Sequence, residues 1–204
     1  MTGLRRLFVA VNILVYAYIL SAVVFVIVLS FSPSGIFRIP PEAPSLVWYR
    51  KMLAYQPYWD SLLLSLIVAA GATILALLLG LPAALAIVRY RFPGRDLLAA
   101  VLMAPIVVPA IILGVGLLML YTQFFVHTLG LTVNGTVAGL LIGHVIVCLP
   151  WVVRVLIAGL QGMERDVEEA AMNLGAGPLA VLWYVTLPLL RPEAVAAGVF
   201  SFIA

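Results

Sequence analysis

Apolar residues run almost unbroken through four long stretches, roughly residues 7–30, 62–88, 97–121 and 137–157, with short polar connections between them. A bilayer core of about 30 Å needs about 20 helical residues at 1.5 Å each, and unpaired backbone amides cannot face lipid. The pattern predicts four membrane-spanning helices. A fifth apolar stretch opens at Pro192 and is still running at Ala204, too short to span, so the expectation is a chain truncated within a fifth helix. The first stretch exceeds a signal-peptide h-region and further spans follow it, which predicts a retained anchor.

Composition narrows the class. The 204 residues are 65% hydrophobic and 9% charged, far from a soluble globule. The net charge of +3 is spread over isolated arginines and makes no nucleic-acid footprint. It reads instead as an orientation signal. Arg5 and Arg6 precede the first span, Arg89, Arg91 and Arg95 fill the connection after the second, and Arg165 and Arg191 follow the fourth, with Arg154 near its end. The other flanks hold Arg38, Arg50 and Lys51, offset by Glu42 and Asp60, and residues 122–135 carry no charge. This bias places the N-terminus and the connections 89–96 and 158–191 in the cytoplasm. The chain then divides into an N-terminal end and first helix (1–31), an external connection (32–60) and a membrane core (61–204). Within the external connection Pro33, Pro40, Pro41 and Pro44 break helix, and Trp48, Tyr49, Tyr55, Tyr58 and Trp59 predict an aromatic belt at headgroup level.

Inside the spans, Ala72, Ala76, Gly80 and Ala84 recur every four residues, as do Gly135, Gly139 and Gly143. Small residues at that spacing let a neighbouring helix approach closely, so both stripes predict helix contacts. Pro105 and Pro109 interrupt the third span one turn apart, followed by Gly114 and Gly116. Each proline removes an amide donor and clashes with the preceding turn, which predicts a bend or opening there, as at Pro82 and Pro150. Such kinks either shape the bundle or expose carbonyls to a pathway. Pro105, Pro109, Gly114 and His144 are the candidate pathway or gating residues, with helix packing the plainer alternative for each.

No Asp or Glu lies within residues 62–88 or 97–157, so the complete spans hold no acidic proton relay or cation carboxylate. An ion-coupled secondary carrier loses support. His144 has no partners at metal-ligand spacing. Lys51, the only lysine, follows Arg50 rather than a glycine, so no phosphate-binding loop exists, and neither HExxH nor G-x-S-x-G occurs. The chain is read as a non-enzyme without a metal or cofactor of its own. The single cysteine, Cys148, supports no disulfide framework.

Residues 161–188 have a different texture. Asp166 and Glu169 stand at capping-box spacing, Glu168 and Glu169 suit the positive end of a helix dipole, and Gly175 suits a left-handed terminus. This predicts a short helix over 167–174. Pro178 suits the first position of a second helix, ending near Leu187-Pro188. Two short helices joined at a glycine bend make a projection that could fit a cleft in another protein.

Glu169-Ala170-Ala171, Gly175 after three residues, and Val185 with Leu187-Pro188 resemble the E-A-A-x₃-G-x₉-I-x-L-P signature of permease subunits from binding-protein-dependent ABC importers, with Val in place of Ile. Asp60-Ser61-Leu62, Arg89 with Phe92, Pro105, Pro109, Gly114 and His144 resemble the polyamine-type branch, whose members commonly carry Asn where Asp60 stands. The resemblance implies an all-α, polytopic membrane helical bundle of the type I importer permease class in a prokaryotic inner membrane. It implies a second permease subunit, identical or not, two ATPase subunits that bind ATP and Mg²⁺, and an extracytoplasmic solute-binding protein. It also implies that Glu169, Ala170, Ala171, Gly175, Ala176, Gly177, Leu187 and Pro188 form the coupling contact with the ATPase, Gly175 supplying the turn and Glu169 fixing the preceding helix. The implied cargo is a polyamine, with ferric iron or another small solute as the alternative within the class. A secondary carrier and a non-transporting membrane assembly protein are the rivals outside it.

Overall fold

The computed structural model describes residues 2–33 and 44–204. Arg38, Pro40, Pro41 and Glu42 of the external connection lie outside the described residues. The chain forms two compact units, one up to Leu63 and one from Leu64 onward.

The first unit holds α1 (Thr2–Ser30), α2 (Val47–Ala54) and the start of α3 (Gln56–Arg89). No described side chain of α1 up to Val28 is buried. Within the aromatic cluster Trp48 Nε1 donates to the Ser32 carbonyl at 3.0 Å, Trp59 Nε1 to the Leu53 carbonyl at 2.9 Å, and the Tyr49 and Ser30 hydroxyls lie 2.6 Å apart. Lys51 sits 4.5 Å from the centre of the Trp48 ring. Rings with apolar bodies and paired tips suit an interfacial position.

The second unit continues α3 and adds α4 (Arg95–Val107), α5 (Ala110–Leu129), α6 (Val137–Gly162), α7 (Arg165–Asn173), α8 (Pro178–Leu189) and α9 (Arg191–Ile203). Among the described residues α1, α3, α5 and α6 are long and apolar enough to cross a membrane, and α8 and α9 meet at 64° around the buried Leu190. The core lies where α3, α6 and α9 converge, on Ala76, Ala84, Cys148, Val152, Leu156, Leu160, Leu190 and Ala197.

The small-residue stripe on α3 explains that convergence. Val68, Ala72, Ala76, Gly80, Ala84 and Ile87 are the buried residues of α3. A Cβ on Gly80 would stand 2.8 Å from Val152 Cγ1, and one on Gly71 2.9 Å from a Leu141 methyl, so only small residues allow α6 this close. The expected second stripe forms only in part: Gly135 lies in the turn before α6 with φ +72° and a Cβ on Gly139 would meet the Val133 carbonyl of that turn, whereas one on Gly143 would meet Leu117 and Tyr121 of α5 at ordinary contact distance.

The third predicted span is corrected in its bounds, while the opening expected at Pro109 forms. The helix breaks at Val108, whose extended backbone (ψ 126°) is the conformation a following proline favours, and Pro109 caps α5 instead of continuing α4. The long apolar helix is therefore displaced to Ala110–Leu129, well into the stretch expected to be an outer connection. It carries a widened, π-helical stretch over Leu120–Val126 and stops at Gly130, φ +67°. Pro82 and Pro150 leave α3 and α6 uninterrupted.

Candidate functional site

The projection between α6 and α9 is built from two short helices and the turn between them. α6 ends at Gly162, Met163 and Glu164 are extended, and α7 begins at Arg165. At its far end the Gly175 amide donates to the Met172 carbonyl at 2.9 Å and the Ala176 amide to the Ala171 carbonyl at 3.1 Å. These two bonds are the Schellman pattern, which satisfies carbonyls left open by the last turn. It requires a left-handed residue, and Gly175 has φ +92°, where an L side chain costs about 1–2 kcal/mol. Gly177 then caps α8, with Pro178 in its first turn.

The turn presents an open apolar tip. Leu174 is 90% exposed, and Met172 and Leu179 are exposed beside it. Of the residues expected at a coupling contact, Glu169, Ala170, Gly175 and Gly177 are exposed around this tip, and Ala171 and Ala176 are half-buried. Leu187 is half-buried and Pro188 exposed at the other end of α8, so the signature residues divide between the tip and the base of the projection.

Two expectations here are revised. α7 starts two residues earlier than expected, with Glu164 at the cap and no side-chain capping bond, so the Asp166–Glu169 capping box does not form. The reason is tertiary, because Arg165 Nη2 donates to the Val88 carbonyl of α3 at 3.0 Å and draws the first turn onto that helix. The carboxylate that fixes α7 is also not the exposed Glu169 but the buried Glu168. Glu168 Oε2 lies 3.0 Å from Arg89 Nε, and its Oε1 accepts from Thr186 Oγ1 at 2.8 Å. Thr186 closes a second π-helical stretch, Leu182–Thr186, within α8. Beside this triad lies a groove of about 480 Å³, lined by Arg89, Tyr90, Arg165, Glu169, Met172 and Leu179 among others. Sequence reasoning used Arg89 and Arg165 as orientation charges and Glu168 as a dipole partner; no local spacing links the three to Thr186.

A separate cavity of about 530 Å³ lies among α4, α5 and α6. It gathers three of the four candidate pathway residues, Pro105, Gly114 and His144, and not Pro109. Tyr121 closes one wall by donating to the Gly139 carbonyl at 2.9 Å. His144 Nδ1 stands 2.8 Å from the Leu140 carbonyl, which can only accept, so Nδ1 carries the proton. Among the described residues no cluster of His, Cys, Asp or Glu could hold a metal ion, and no carboxylate lines this cavity.

The bundle thus combines membrane-length helices, an apolar cavity and a shaped projection. Residues 76–204 match the family described as "Binding-protein-dependent transport system inner membrane component", and the chain belongs to it. It is a multi-span membrane permease of an ABC-type importer, the non-enzymatic membrane part. The chain is 30% identical over 195 residues to the putrescine transport system permease protein PotI of Escherichia coli (strain K12), covering 95% of this chain and 69% of that protein. It is 31% identical over 188 residues to the spermidine/putrescine transport system permease protein PotC of the same strain, covering 92% and 68%. The molybdenum transport system permease protein ModB, also from that strain, is 33% identical over 162 residues, covering 74% and 69%. The crystal structure of a bacterial ABC transporter involved in the import of the acidic polysaccharide alginate superposes with a TM-score of 0.71 at 20% identity, over 97% of this chain and 70% of that chain. That likeness is one of fold, the type I importer permease bundle.

Proposed function

We propose that this chain forms half of the pathway of a polyamine importer and that residues 161–188 are the handle by which a separate ATPase drives it. The observation that carries the reading is the Schellman-closed turn at Gly175, which holds an exposed Leu174 at the tip of a helix pair matching the importer signature. In this reading the N-terminus and the projection face the cytoplasm, as the arginine bias supports. Glu169, Ala170, Ala171, Gly175, Ala176 and Gly177 meet the ATPase, while Leu187 and Pro188 pass its movement toward α9. A second permease subunit completes the pathway, and a solute-binding protein delivers cargo from outside. Nucleotide binding favours one of two membrane arrangements only if the handle makes different contacts in each.

The cavity holding Pro105, Gly114 and His144 is the part of the pathway contributed here. Its neutral lining gives a dication no counter-charge, so polyamine selectivity resides mainly in the delivery protein. The putrescine and spermidine/putrescine permeases support the polyamine assignment. An oxyanion cargo is the second reading, favoured by the molybdenum permease and by that same neutral cavity. Calorimetry on the solute-binding protein encoded beside this chain separates them. Putrescine or spermidine should bind at least about tenfold tighter than molybdate or ferric iron; the reverse order overturns the polyamine reading.

A further inference from the structure

A nine-residue helix joined to its neighbours through non-helical residues is a poor lever unless something ties it sideways. α7 has such joints at both ends: Met163 and Glu164 are extended, and the far end turns through Gly175 to Gly177. The lateral ties all run to α3 and α8. Arg165 reaches the Val88 carbonyl, and one turn later Glu168 meets Arg89, so α7 is held on α3 at two points of one face, an arrangement that resists rolling as well as lifting. Thr186 joins α8 to the same carboxylate. The side chains of Arg89 and Glu168 are 13% and 11% exposed, and α3 is itself locked onto α6 through Gly80. Glu168 precedes the Glu-Ala-Ala signature and Thr186 occupies one of its spacer positions, so the signature does not specify this contact.

We infer that Arg89, Glu168 and Thr186 act as a clamp making α7 and the Arg89 end of α3 one mechanical body, so that movement received by the handle reaches α3 directly and not only through α6 and α9. These are positioning residues, and the inference rests on the proposed reading of the projection as the ATPase handle.

The test uses the assembled transporter with spin labels on cysteines replacing Asp166 of α7 and Arg91, both exposed and outside the proposed ATPase contact, and double electron–electron resonance before and after trapping with ATP, Mg²⁺ and vanadate. The wild-type background should give one narrow distance distribution that shifts by less than about 2 Å on trapping. Glu168→Gln should broaden it and make it move by about 3–5 Å, and the reversed pair Arg89→Glu with Glu168→Arg should narrow it again. A Glu168→Gln distribution matching wild type in both states overturns the clamp, as does a reversed pair no narrower than the single variant. If Glu168→Gln fails to assemble, Thr186→Val decides, since it keeps the ion pair: a broadened distribution supports the clamp and an unchanged one overturns it. Loss of the ATPase from the wild-type complex counts against the handle reading alone, because the nucleotide-free distributions still decide the clamp.

Discussion

α6 meets its neighbours in two different ways. Against α3 the contact is close and fully filled, with Gly80 under Val152 and Val153 and no room for a single added carbon. Toward α5 the helices leave a cavity of about 530 Å³, bridged by one hydroxyl from Tyr121, and a Cβ on Gly114 would meet nothing within 4 Å. Close-packed interfaces are bistable at best and transmit displacement, whereas a cavity edged by proline and glycine gives helices somewhere to go. On the proposed reading, the first contact is the rigid part of the permease and the second is where its shape changes.

The largest expected effect breaks the rigid side. Gly80→Leu should destabilise the purified chain by about 3 kcal/mol, because the added side chain drives into Val152 and Val153, whose β-branched side chains have little freedom to yield; a melting temperature within a few degrees of wild type would show that α3 and α6 are not tightly apposed. Next comes the clamp. Glu168→Gln leaves Arg89 part-buried without its partner and should lower stability by about 2–3 kcal/mol, the residual exposure keeping it under the fully buried range. Arg89→Met with Glu168→Leu should be more stable than either single change, measured by the same unfolding assay.

Gly175→Asp should lower stability by only about 1–2 kcal/mol, the strain of a left-handed Asp, yet abolish ATP-driven putrescine uptake in proteoliposomes. Uptake at wild-type rate would remove the turn from the coupling account. On the loose side, Tyr121→Phe should lower stability by about 1 kcal/mol, the worth of one buried hydroxyl bond. Gly114→Leu should change stability by less than about 1 kcal/mol while reducing uptake; stability lost with uptake intact would show that the cavity is packing space and not pathway.

Which features could be read from sequence follows from how local their causes are. The α3 stripe repeats every four residues, so its face is written in the chain, and Gly175 is confined by backbone geometry within one turn. Such features were legible, as was the helical membrane class. The opening at Pro109 was legible because proline acts on its own backbone, but Pro105 stays within α4 and the extent of the apolar helix was misplaced, because apolar residues continue through the break and hydropathy cannot show where one helix yields to another. Gly135 kept the stripe's spacing but lies outside the helix, where spacing has no meaning. The contacts that tie α7 down depend on folding alone: Arg165 finds its acceptor 77 residues away, and two adjacent glutamates look alike until the bundle buries one of them.

The claim on which the account turns is that the Gly175 turn projects into the cytoplasm and is covered by the ATPase. Leu174→Cys, treated with a membrane-impermeant maleimide in intact cells and in inverted vesicles, tests it directly. The account predicts labelling in inverted vesicles only, suppressed when the ATPase is bound. Labelling from outside intact cells, or labelling in inverted vesicles that bound ATPase leaves unchanged, would contradict it.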